Sequence, residues 1–369
     1  MPIPIADPKR WFQKHNTEIA KVINEVIEKG NYVLGPQVLA FEKEFANWNG
    51  SRFAVGVGNG TDAILLSLMA LNIADGDEVI TSSHTSVATI SAIVQSGATP
   101  VLIDIEEDSR CLNPELIEPA LTSRTKAILP VHIYGYPAQM DVILTIATRH
   151  NLVVVEDCAQ AHGAVFKNQK VGTFGHTGAF SFYPTKNIGV AGDAGIVVTN
   201  DESVAKNLFA LREYGALSKR LVSDMHGINS RLDELHAAML RVRLKYSSKD
   251  QHRRNDIAES YISGMARIGD LKIPVLPKDG LHAWHLFVVE SMFRDLLSKY
   301  LLENGISAGL HYPIPVHQLP GYSKLVKIPG LLLQTENLYQ NMLTIPLFPE
   351  LTDEEIVCIV DRIKKWCPK

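Results

Sequence analysis

The sequence predicts an α/β protein whose core is a largely parallel sheet. Short runs of apolar, mostly β-branched residues recur through the first half of the chain. Each run is followed by a segment of helix length that carries apolar residues at helical spacing. The runs are apolar throughout, which is the pattern of strands covered by helices on both faces of a parallel sheet.

Strands and helices are expected to alternate in chain order. The strand FAVGV (53–57) precedes the helix TDAILLSLMALNI, EVITS (78–82) precedes TSVATISAIVQSG, and PVLIDI (100–105) precedes PELIEPALT. The alternation continues with KAILPVHIY, MDVILTIATRH and LVVVED, and ends with AFSFY (179–183) and GIVVTND (195–201). Such alternation is typical of β-α-β units, whose strands run parallel.

A second, smaller unit follows the sheet-forming part. After the helix LDELHAAMLRVRLKY, the chain changes to short strands, proline-rich loops and a closing helix, DEEIVCIVDRIKKWC. We therefore divide the chain into an N-terminal segment with a large α/β domain, residues 1–245, and a smaller α+β domain, residues 246–369. The helix around Thr17 to Lys29 is expected to pack on the smaller domain.

Composition narrows the range of partners. The 369 residues are 46% hydrophobic and 21% charged, and the formal net charge is -4, with acidic and basic residues interspersed. We expect no nucleic-acid surface and no polybasic membrane patch.

The start, MPIPIADPKRWF, lacks a signal-peptide pattern, and no apolar run is long enough to span a membrane, so a cytoplasmic protein is expected. The four cysteines contain no CxxC pair, which favours reduced thiols.

Open parallel sheets bind ligands at the carboxyl ends of their strands, so the residues after each apolar run are the candidates. Gly56, Gly58 and Gly60 surround a turn that leads to Thr61 at the start of a helix. Glycines allow close backbone approach, and free N–H groups at a helix N-terminus attract phosphate. A plain strand-to-helix turn with Thr61 as the N-cap explains the same pattern.

The strand LVVVED ends in two carboxylates, Glu156 and Asp157, and Gln160 and His162 follow just beyond it. A carboxylate in this position suits a helix cap, a metal ligand or the partner of a positively charged heteroaromatic nitrogen. No clustered set of His and Asp ligands accompanies it, so no metal site is expected.

Lys186 lies in FSFYPTKNIGVAGDAG (180–195), after a predicted central strand and before a glycine-bearing loop. Most lysines are solvated surface residues. A desolvated lysine has a lowered pKa and forms Schiff bases with aldehydes. A cofactor with an aldehyde, a phosphate and a pyridine nitrogen needs a lysine, an anion cradle, a carboxylate and a partner for its phenolic oxygen. The strand ends offer all four.

Together these stretches resemble the DegT/DnrJ/EryC1/StrS family of pyridoxal-phosphate sugar aminotransferases, which have the aspartate aminotransferase-like (type I) fold. The resemblance covers nearly the whole chain. Its ordered blocks are GPQVLAFEKEFA, NGTDA, HIYGYPAQMD, EDCAQAHGA, FSFYPTKNIG, GIVVTND, GINSRLDELHAAML and HYPIPVHQLPGY. It implies that the protein binds pyridoxal 5′-phosphate, forms a homodimer with shared active sites and moves an amino group from glutamate to a nucleotide-linked ketosugar.

The resemblance also implies roles for individual residues. The predicted catalytic residues are Lys186, which matches the lysine that bonds to the cofactor's aldehyde, and Asp157, which matches the carboxylate at the pyridine nitrogen. The other predicted cofactor-binding residues are Gln160 at the phenolic oxygen, Gly60, Thr61 and Ser181 at the phosphate, and Asn229, contributed by the neighbouring subunit. A cap for the helix LDELHAAML is the alternative for Asn229.

Ser86 marks a departure from the family pattern. Where relatives carry an aromatic residue stacked on the pyridine ring, SSHTSVAT has Ser86, which we assign to cofactor binding, with His84 as an alternative ring cover. The stretches QAHGA and FSFYP resemble relatives that aminate carbon 3 of a dTDP-linked 3-keto-6-deoxyhexose. His162 and His317 are the predicted substrate-binding residues, and an ordinary buried or loop histidine is the alternative for each.

Other functions stay open on the sequence alone. A 4-keto nucleotide-sugar or aminocyclitol aminotransferase would share these motifs, whereas a non-catalytic regulatory relative is expected to lack Lys186 or Asp157. Dehydratase relatives replace the lysine with histidine, so Lys186 argues against that chemistry. A nicotinamide oxidoreductase is disfavoured, because the glycine spacing is GxGxG rather than GxGxxG and no acidic residue ends the following strand, EVITS.

Overall fold

The structure is a computed structural model that describes residues 2–216 and 225–367. The α-helices of the described residues are α1 (Pro8–Lys14), α2 (Asn16–Lys29), α3 (Pro36–Asn49), α4 (Gly60–Ala70), α5 (Val87–Gln95), α6 (Ile117–Ala120), α7 (Met140–Arg149), α8 (Glu202–Leu211), α9 (Glu234–Met265), α10 (Arg294–Glu303), α11 (Leu333–Asn341) and α12 (Asp353–Lys364). The strands are β1 (Phe53–Val57), β2 (Glu78–Ser82), β3 (Thr99–Ile103), β4 (Thr125–Leu129), β5 (Val153–Asp157), β6 (Val165–Phe166), β7 (Gln169–Lys170), β8 (Thr177–Ser181), β9 (Gly195–Thr199), β10 (Gly280–Leu281), β11 (Phe287–Glu290) and β12 (Met342–Ile345).

The central sheet contains seven strands in the order β1-β9-β8-β5-β4-β2-β3. β9 is antiparallel to both of its neighbours, and the remaining pairs in this sheet are parallel. Helices separate β1 to β5 along the chain, whereas β9 follows β8 through a loop, which reverses the chain direction. The predicted α/β fold with a mostly parallel sheet is confirmed.

The long helix α9 belongs to two hydrophobic cores. It has 32 residues, and its first half packs against α2 and α3 beside the sheet. From Ile257 onward it joins the core of the C-terminal part. The expected boundary between residues 245 and 246 therefore falls inside a helix. α2 also packs on the large core rather than on the C-terminal part, because Ile19 joins that core and Glu18 pairs with Lys245 at 2.9 Å.

The C-terminal part is built on the antiparallel pair of β11 and β12, with α10 and α12 in the same core. α12 begins with a capping box formed by Thr352 and Glu355. Glu355 also accepts two hydrogen bonds from Arg10, at 2.6 and 2.7 Å, which tie α1 to this part of the molecule. The segment before α1 docks here as well, through a parallel bridge between Ile3 and Ile306. None of the described helices is both long and apolar enough for a membrane crossing.

Candidate active site

A large cavity lies where the carboxyl edge of the sheet meets the C-terminal part. Its volume is about 930 Å³. Tyr312 and Phe348 of the C-terminal part and residues 4–6 of the N-terminal segment form one wall, opposite the strand ends. The predicted site residues that line this cavity are Gly60, Thr61, Ser86, Asp157, Gln160, Ser181 and Lys186, whereas His162, Asn229 and His317 are not among the lining residues.

Lys186 follows the end of β8 by a tight turn. Its backbone N–H donates to the carbonyl of Tyr183 at 2.8 Å, which directs the side chain into the cavity lining. Among the described residues, no carboxylate hydrogen bonds to its amine. Burial lowers the pKa of Lys186 to about 8, and the nearby charge of Asp157 opposes the shift. A neutral, nucleophilic amine is therefore available at mildly alkaline pH.

Asp157 is the last residue of β5, and its carboxylate is buried and fixed in orientation. Its Oδ1 accepts the backbone N–H of Ala159 at 3.0 Å, and its Oδ2 accepts the hydroxyl of Thr89 at 2.8 Å. Because Thr89 has one hydroxyl hydrogen, it must accept the bond that joins it to Thr85 at 2.7 Å. Burial raises the pKa of Asp157, and the two hydrogen bonds and the Lys186 charge oppose that rise. A cationic nitrogen in the cavity would form a strong ion pair with this carboxylate.

The orientation of the Gln160 amide follows from its partners. Oε1 accepts the backbone N–H of Tyr134 at 2.6 Å, and Nε2 lies 3.0 Å from the hydroxyl of Tyr312. An amide NH₂ group can only donate hydrogen bonds. Gln160 therefore offers donors on the cavity side, which suits a phenolic or anionic oxygen.

The N-terminus of α4 provides the anion-binding end of the cavity. Its N-cap is Asn59, whose side chain accepts the N–H of Asp62 at 2.8 Å, so Thr61 is a helical residue and not the cap. A Cβ atom on Gly60 would lie 2.5 Å from the Cβ atom of Ser181, so only glycine fits there. Within the described chain, the N–H groups of Gly60 and Thr61 have no backbone acceptor. They are free to bind a phosphate.

Ser86 and His84 lie in different environments. Ser86 is the N-cap of α5 and lines the cavity. His84 is fully buried outside the cavity lining, with its Nε2 2.7 Å from the hydroxyl of Tyr134. The structure therefore gives no support to His84 as a ring cover. Tyr312 lines the cavity beside Ser86 and was not predicted from the sequence, where His317 was the only residue of HYPIPVHQLPGY assigned to the site.

The two predicted substrate-binding histidines lie away from the cavity. His162 is only 2% exposed, and its ring lies 5.4 and 5.5 Å from the rings of Phe180 and Phe182. His317 lies 3.7 Å from the carboxylate of Glu336. In these positions neither side chain contributes to the cavity wall.

Asn229 is exposed and is not among the residues that line the cavity. Its backbone forms an isolated antiparallel bridge with Glu213. The next residue, Ser230, is buried; its hydroxyl accepts the N–H of Gly58 at 2.9 Å and donates to Asp62 at 2.6 Å. Asn229 is thus held close to the start of α4 without lining the cavity of its own chain.

His132, Glu156 and Cys158 lie close enough together to hold a metal ion. Their hydrogen bonds point to a structural role. His132 Nδ1 accepts the N–H of Ala138 at 3.0 Å, so Nε2 carries the hydrogen and donates to Glu156 at 3.1 Å. Glu156 also accepts three backbone N–H groups of residues 172–175, at 2.7 and 2.8 Å. These bonds occupy the lone pairs that a metal would need, and they hold the loop before β8.

Sequence comparison identifies the relatives of the chain. Residues 13–364 match the DegT/DnrJ/EryC1/StrS aminotransferase family. The dTDP-3-amino-3,4,6-trideoxy-α-D-glucose transaminase of Streptomyces venezuelae is 41% identical over 367 residues, which cover 100% of this chain and 97% of that protein. The dTDP-3-amino-3,6-dideoxy-α-D-galactopyranose transaminase of Aneurinibacillus thermoaerophilus is 40% identical over 364 residues, 99% of each chain. A UDP-N-acetyl-3-dehydro-α-D-glucosamine 3-aminotransferase of Acidithiobacillus ferrooxidans is 39% identical over 363 residues, 98% of this chain and 97% of that protein.

Solved structures extend the similarity to the fold. S. venezuelae DesV, crystallised in complex with a ketimine intermediate, superposes with a TM-score of 0.96 at 42% identity, over 99% of this chain and 98% of that one. NtdA of Bacillus subtilis, with bound cofactor PMP, superposes with a TM-score of 0.92 at 32% identity, over 98% of this chain and 84% of that one. The similarity therefore includes both the sheet and the C-terminal part.

Proposed function

This chain belongs to the DegT/DnrJ/EryC1/StrS aminotransferase family, and on that premise we propose that it moves the amino group of glutamate to carbon 3 of a nucleotide-linked 3-keto-6-deoxyhexose. It is a sugar aminotransferase and uses pyridoxal 5′-phosphate. The names of the three relatives described above all refer to carbon 3, which supports that position. Two of the three names specify a dTDP sugar, which supports dTDP as the nucleotide.

The residues around the cavity fit this cofactor. The free N–H groups at the start of α4 suit its phosphate, the buried carboxylate of Asp157 suits its ring nitrogen, and the donor amide of Gln160 suits its phenolic oxygen. Lys186 lines the same cavity and has a pKa lowered to about 8. The proposal rests on one observation: the Lys186 amine, whose pKa is lowered, and the Asp157 carboxylate, whose orientation is fixed, line the same cavity.

Bound pyridoxal phosphate supplies an aldehyde that reacts with amines and a ring that takes up the electron pair released when a C–H bond breaks. In the proposed reaction, the buried carboxylate of Asp157 would keep the ring nitrogen protonated through an ion pair. The Nζ atom of Lys186 accepts the proton from the α-carbon of the amino donor and holds it until it is needed again. Thr89 and Ala159 keep the Asp157 carboxylate in the orientation that this ion pair requires.

Substrate profiling tests the proposal. The purified holoenzyme would be incubated with glutamate and with 3-keto and 4-keto sugars linked to dTDP or UDP, and 2-oxoglutarate would be measured. We expect turnover with the dTDP-linked 3-keto-6-deoxyhexoses. A UDP-linked 3-keto sugar is the second candidate, because one of the relatives is named for such a substrate.

Each other outcome of that panel points to a different function. Turnover of the 4-keto sugars alone would overturn the assignment to carbon 3, and turnover of an inosose alone would reassign the enzyme to aminocyclitols. Absence of turnover with every ketone would favour a regulatory relative. The sequence gives no sign of that last case, because both Lys186 and Asp157 are present.

We also propose that two copies of the chain share their active sites, with Asn229 of one copy completing the phosphate site of the other. Asn229 is exposed, and the contacts of Ser230 with Gly58 and Asp62 hold it close to the start of α4, which supports this arrangement. Mixing the inactive variant Lys186→Ala with Asn229→Ala tests it. If subunits pair at random, half of the dimers are mixed and each carries one intact site, so about a quarter of wild-type activity is expected. Failure of the mixture to exceed Asn229→Ala alone would show that the site does not cross between subunits.

A further inference from the structure

Tyr134 belongs to the block HIYGYPAQMD, to which the proposed reaction gives no role. It lies in the turn that follows β4, is only 5% exposed and does not line the large cavity. Its backbone has φ 59° and ψ 0°, in the left-handed region that a bulky residue seldom adopts. Such a conformation persists only where the surrounding contacts hold it.

The backbone of Tyr134 connects the edge of the sheet to the C-terminal part. Its N–H donates to Oε1 of Gln160 at 2.6 Å, on the sheet side. Its carbonyl accepts the N–H groups of His285 and Leu286, at 2.9 and 3.3 Å, in the segment that leads into β11. The left-handed turn is therefore paired at both of its backbone groups.

The hydroxyl of Tyr134 has three neighbours. Its oxygen lies 2.7 Å from the carbonyl oxygen of His311, 2.7 Å from Nε2 of His84 and 3.6 Å from the sulfur of Met342. A carbonyl oxygen is a stronger acceptor than a thioether, so the single hydroxyl hydrogen goes to His311. Burial lowers the pKa of His84 to about 3, so this ring is neutral near pH 7 and carries one hydrogen. That hydrogen lies on Nε2, because the hydroxyl has none left to donate.

These contacts close a ring of three hydrogen bonds. Tyr134 donates its N–H to Gln160, and Gln160 donates from Nε2 to the hydroxyl of Tyr312 at 3.0 Å. The peptide bond joins Tyr312 to His311, whose carbonyl accepts the hydroxyl of Tyr134. In a closed ring each bond restricts the atoms of the next, so the loss of one bond loosens the others.

Tyr312 is the member of this ring that offers a donor to the cavity. Gln160 and Tyr312 both line the cavity, whereas Tyr134 does not. Burial raises the pKa of Tyr312 to about 12, so its hydroxyl keeps its hydrogen at neutral pH. The bond with Gln160 does not use that hydrogen, because an amide nitrogen can only donate. The hydroxyl of Tyr312 is therefore able to donate to a ligand.

We propose that Tyr134 is a positioning residue for the ketosugar and acts through Tyr312. The strand ends carry the groups that suit the cofactor, so a sugar bound beside the cofactor lies against the opposite wall, where Tyr312 is. Tyr134 itself contacts neither ligand. Its hydroxyl fixes the segment 311–312 and thereby holds the Tyr312 hydroxyl where a sugar oxygen can accept its hydrogen. The inference rests on the proposed function and adds to it a residue outside the cavity.

The test measures the binding of dTDP-6-deoxyglucose to the holoenzyme by calorimetry. This sugar carries a hydroxyl at carbon 3 in place of the keto group, so it can bind but cannot accept an amino group. We expect Tyr134→Phe, which loses only the hydroxyl, to raise the Kd about 3- to 10-fold, the range for one hydrogen bond. The first turnover with glutamate, followed by cofactor absorbance without sugar, should change by a smaller factor.

A double-mutant cycle with Tyr312→Phe separates positioning from packing. If Tyr134 acts through the Tyr312 hydroxyl, Tyr134→Phe should leave the Kd almost unchanged once that hydroxyl is absent. Losses that multiply in the double variant would show that the two residues act independently, and would refute the inference.

Tyr261→Phe is the matched control. Tyr261 is fully buried in the core of the C-terminal part, and its hydroxyl donates to the carbonyl of Pro346 at 2.8 Å. Neither Tyr261 nor Pro346 lines the large cavity. The control should lower the melting temperature about as much as Tyr134→Phe does, but it should keep the wild-type Kd for the sugar. An equal rise of Kd in both variants would show that Tyr134 acts only through stability.

His84→Phe decides the question if Tyr134→Phe does not fold. It keeps an aromatic ring and removes the N–H that the Tyr134 hydroxyl accepts. We expect it to raise the Kd by a smaller factor that again disappears in the Tyr312→Phe background, and an unchanged Kd would refute the inference. Absence of sugar binding to the wild-type holoenzyme would refute the proposed function and this inference with it. Wild-type binding that Tyr134→Phe leaves unchanged would refute the inference alone.

Discussion

The two walls of the cavity are built in different ways. On the sheet wall, Lys186 and Asp157 each form a hydrogen bond with a neighbour close in the chain, Tyr183 and Ala159. Asp157 has one distant partner as well, Thr89. On the opposite wall the contacts join distant segments. Gln160 meets Tyr312 across 152 positions. The chemistry that we propose lies on the sheet wall, and the opposite wall is where we expect recognition of particular substrates to vary.

The largest effect is expected on the sheet wall, from Lys186→Ala. Transamination should fall by at least about 10³-fold, because the variant loses both the nucleophile and the general base. Reduction with borohydride should no longer fix the cofactor to the protein. Lys186→Arg serves as the control: it keeps a positive charge but cannot become a neutral base, and it should be equally inactive. Substantial activity in either variant would show that the reaction does not depend on the Lys186 amine, and would contradict the placement of the chemistry on the sheet wall.

The next largest effect is expected from Asp157→Asn, with turnover lowered by roughly 10²- to 10³-fold. The amide keeps the shape of the side chain but loses the charge that holds the ring nitrogen protonated. Cofactor content, measured by absorbance, should stay near that of the wild type. Thr89→Val, which removes only the hydrogen bond to Asp157, should cost roughly 3- to 10-fold. Equal turnover in Asp157→Asn and the wild type would contradict the assigned role.

On the opposite wall, Tyr312→Phe should have a smaller effect, about 3- to 10-fold in kcat/KM for the sugar. The variant loses the hydroxyl that lies 3.0 Å from Gln160 Nε2 but keeps the ring and its packing. The first half-reaction with glutamate should change less than the second with the sugar. A loss of kcat/KM as large as that expected for Asp157→Asn would show that Tyr312 takes part in the reaction itself. The two walls would then not differ in function as we propose.

The smallest effect concerns the stability of the cofactor-free protein. Folding lowers the pKa of Lys186 from 10.5 to about 8, so between these values the unfolded chain binds more protons and stability rises with pH. Lys186→Met removes this penalty. The variant should melt roughly 2–4 °C above the wild type at pH 7, with the advantage shrinking toward pH 10. An advantage that does not depend on pH would mean that the amine is not desolvated in the folded protein.

The sheet wall could be predicted because its signals are local. Apolar runs mark the strands, and the residues just after each strand reach the same edge of the sheet. Asp157 and Lys186 could therefore be predicted as site residues from the sequence. Local signals also have limits. Asn59 and not Thr61 caps α4, although both are polar and lie two positions apart; asparagine is the more favoured N-cap residue.

The opposite wall could not be predicted from local patterns. Tyr312, Phe348 and the segment at residues 4–6 meet only after the chain has folded. His162 also follows the end of β5, but its ring packs beside Phe180 and Phe182 and does not line the cavity. The position of a residue in the sequence indicates that it lies near the end of a strand. It does not indicate the direction in which its side chain points.

The helix α9 has a consequence for how the molecule can be divided. It is a rod of about 48 Å at 1.5 Å per residue, and its apolar faces complete one core with Leu240 and another with Tyr261. A fragment that stops at residue 245 would leave the second core without one of its walls and expose that apolar surface to water. We therefore expect the two parts to melt in one cooperative transition, and separately expressed halves to aggregate.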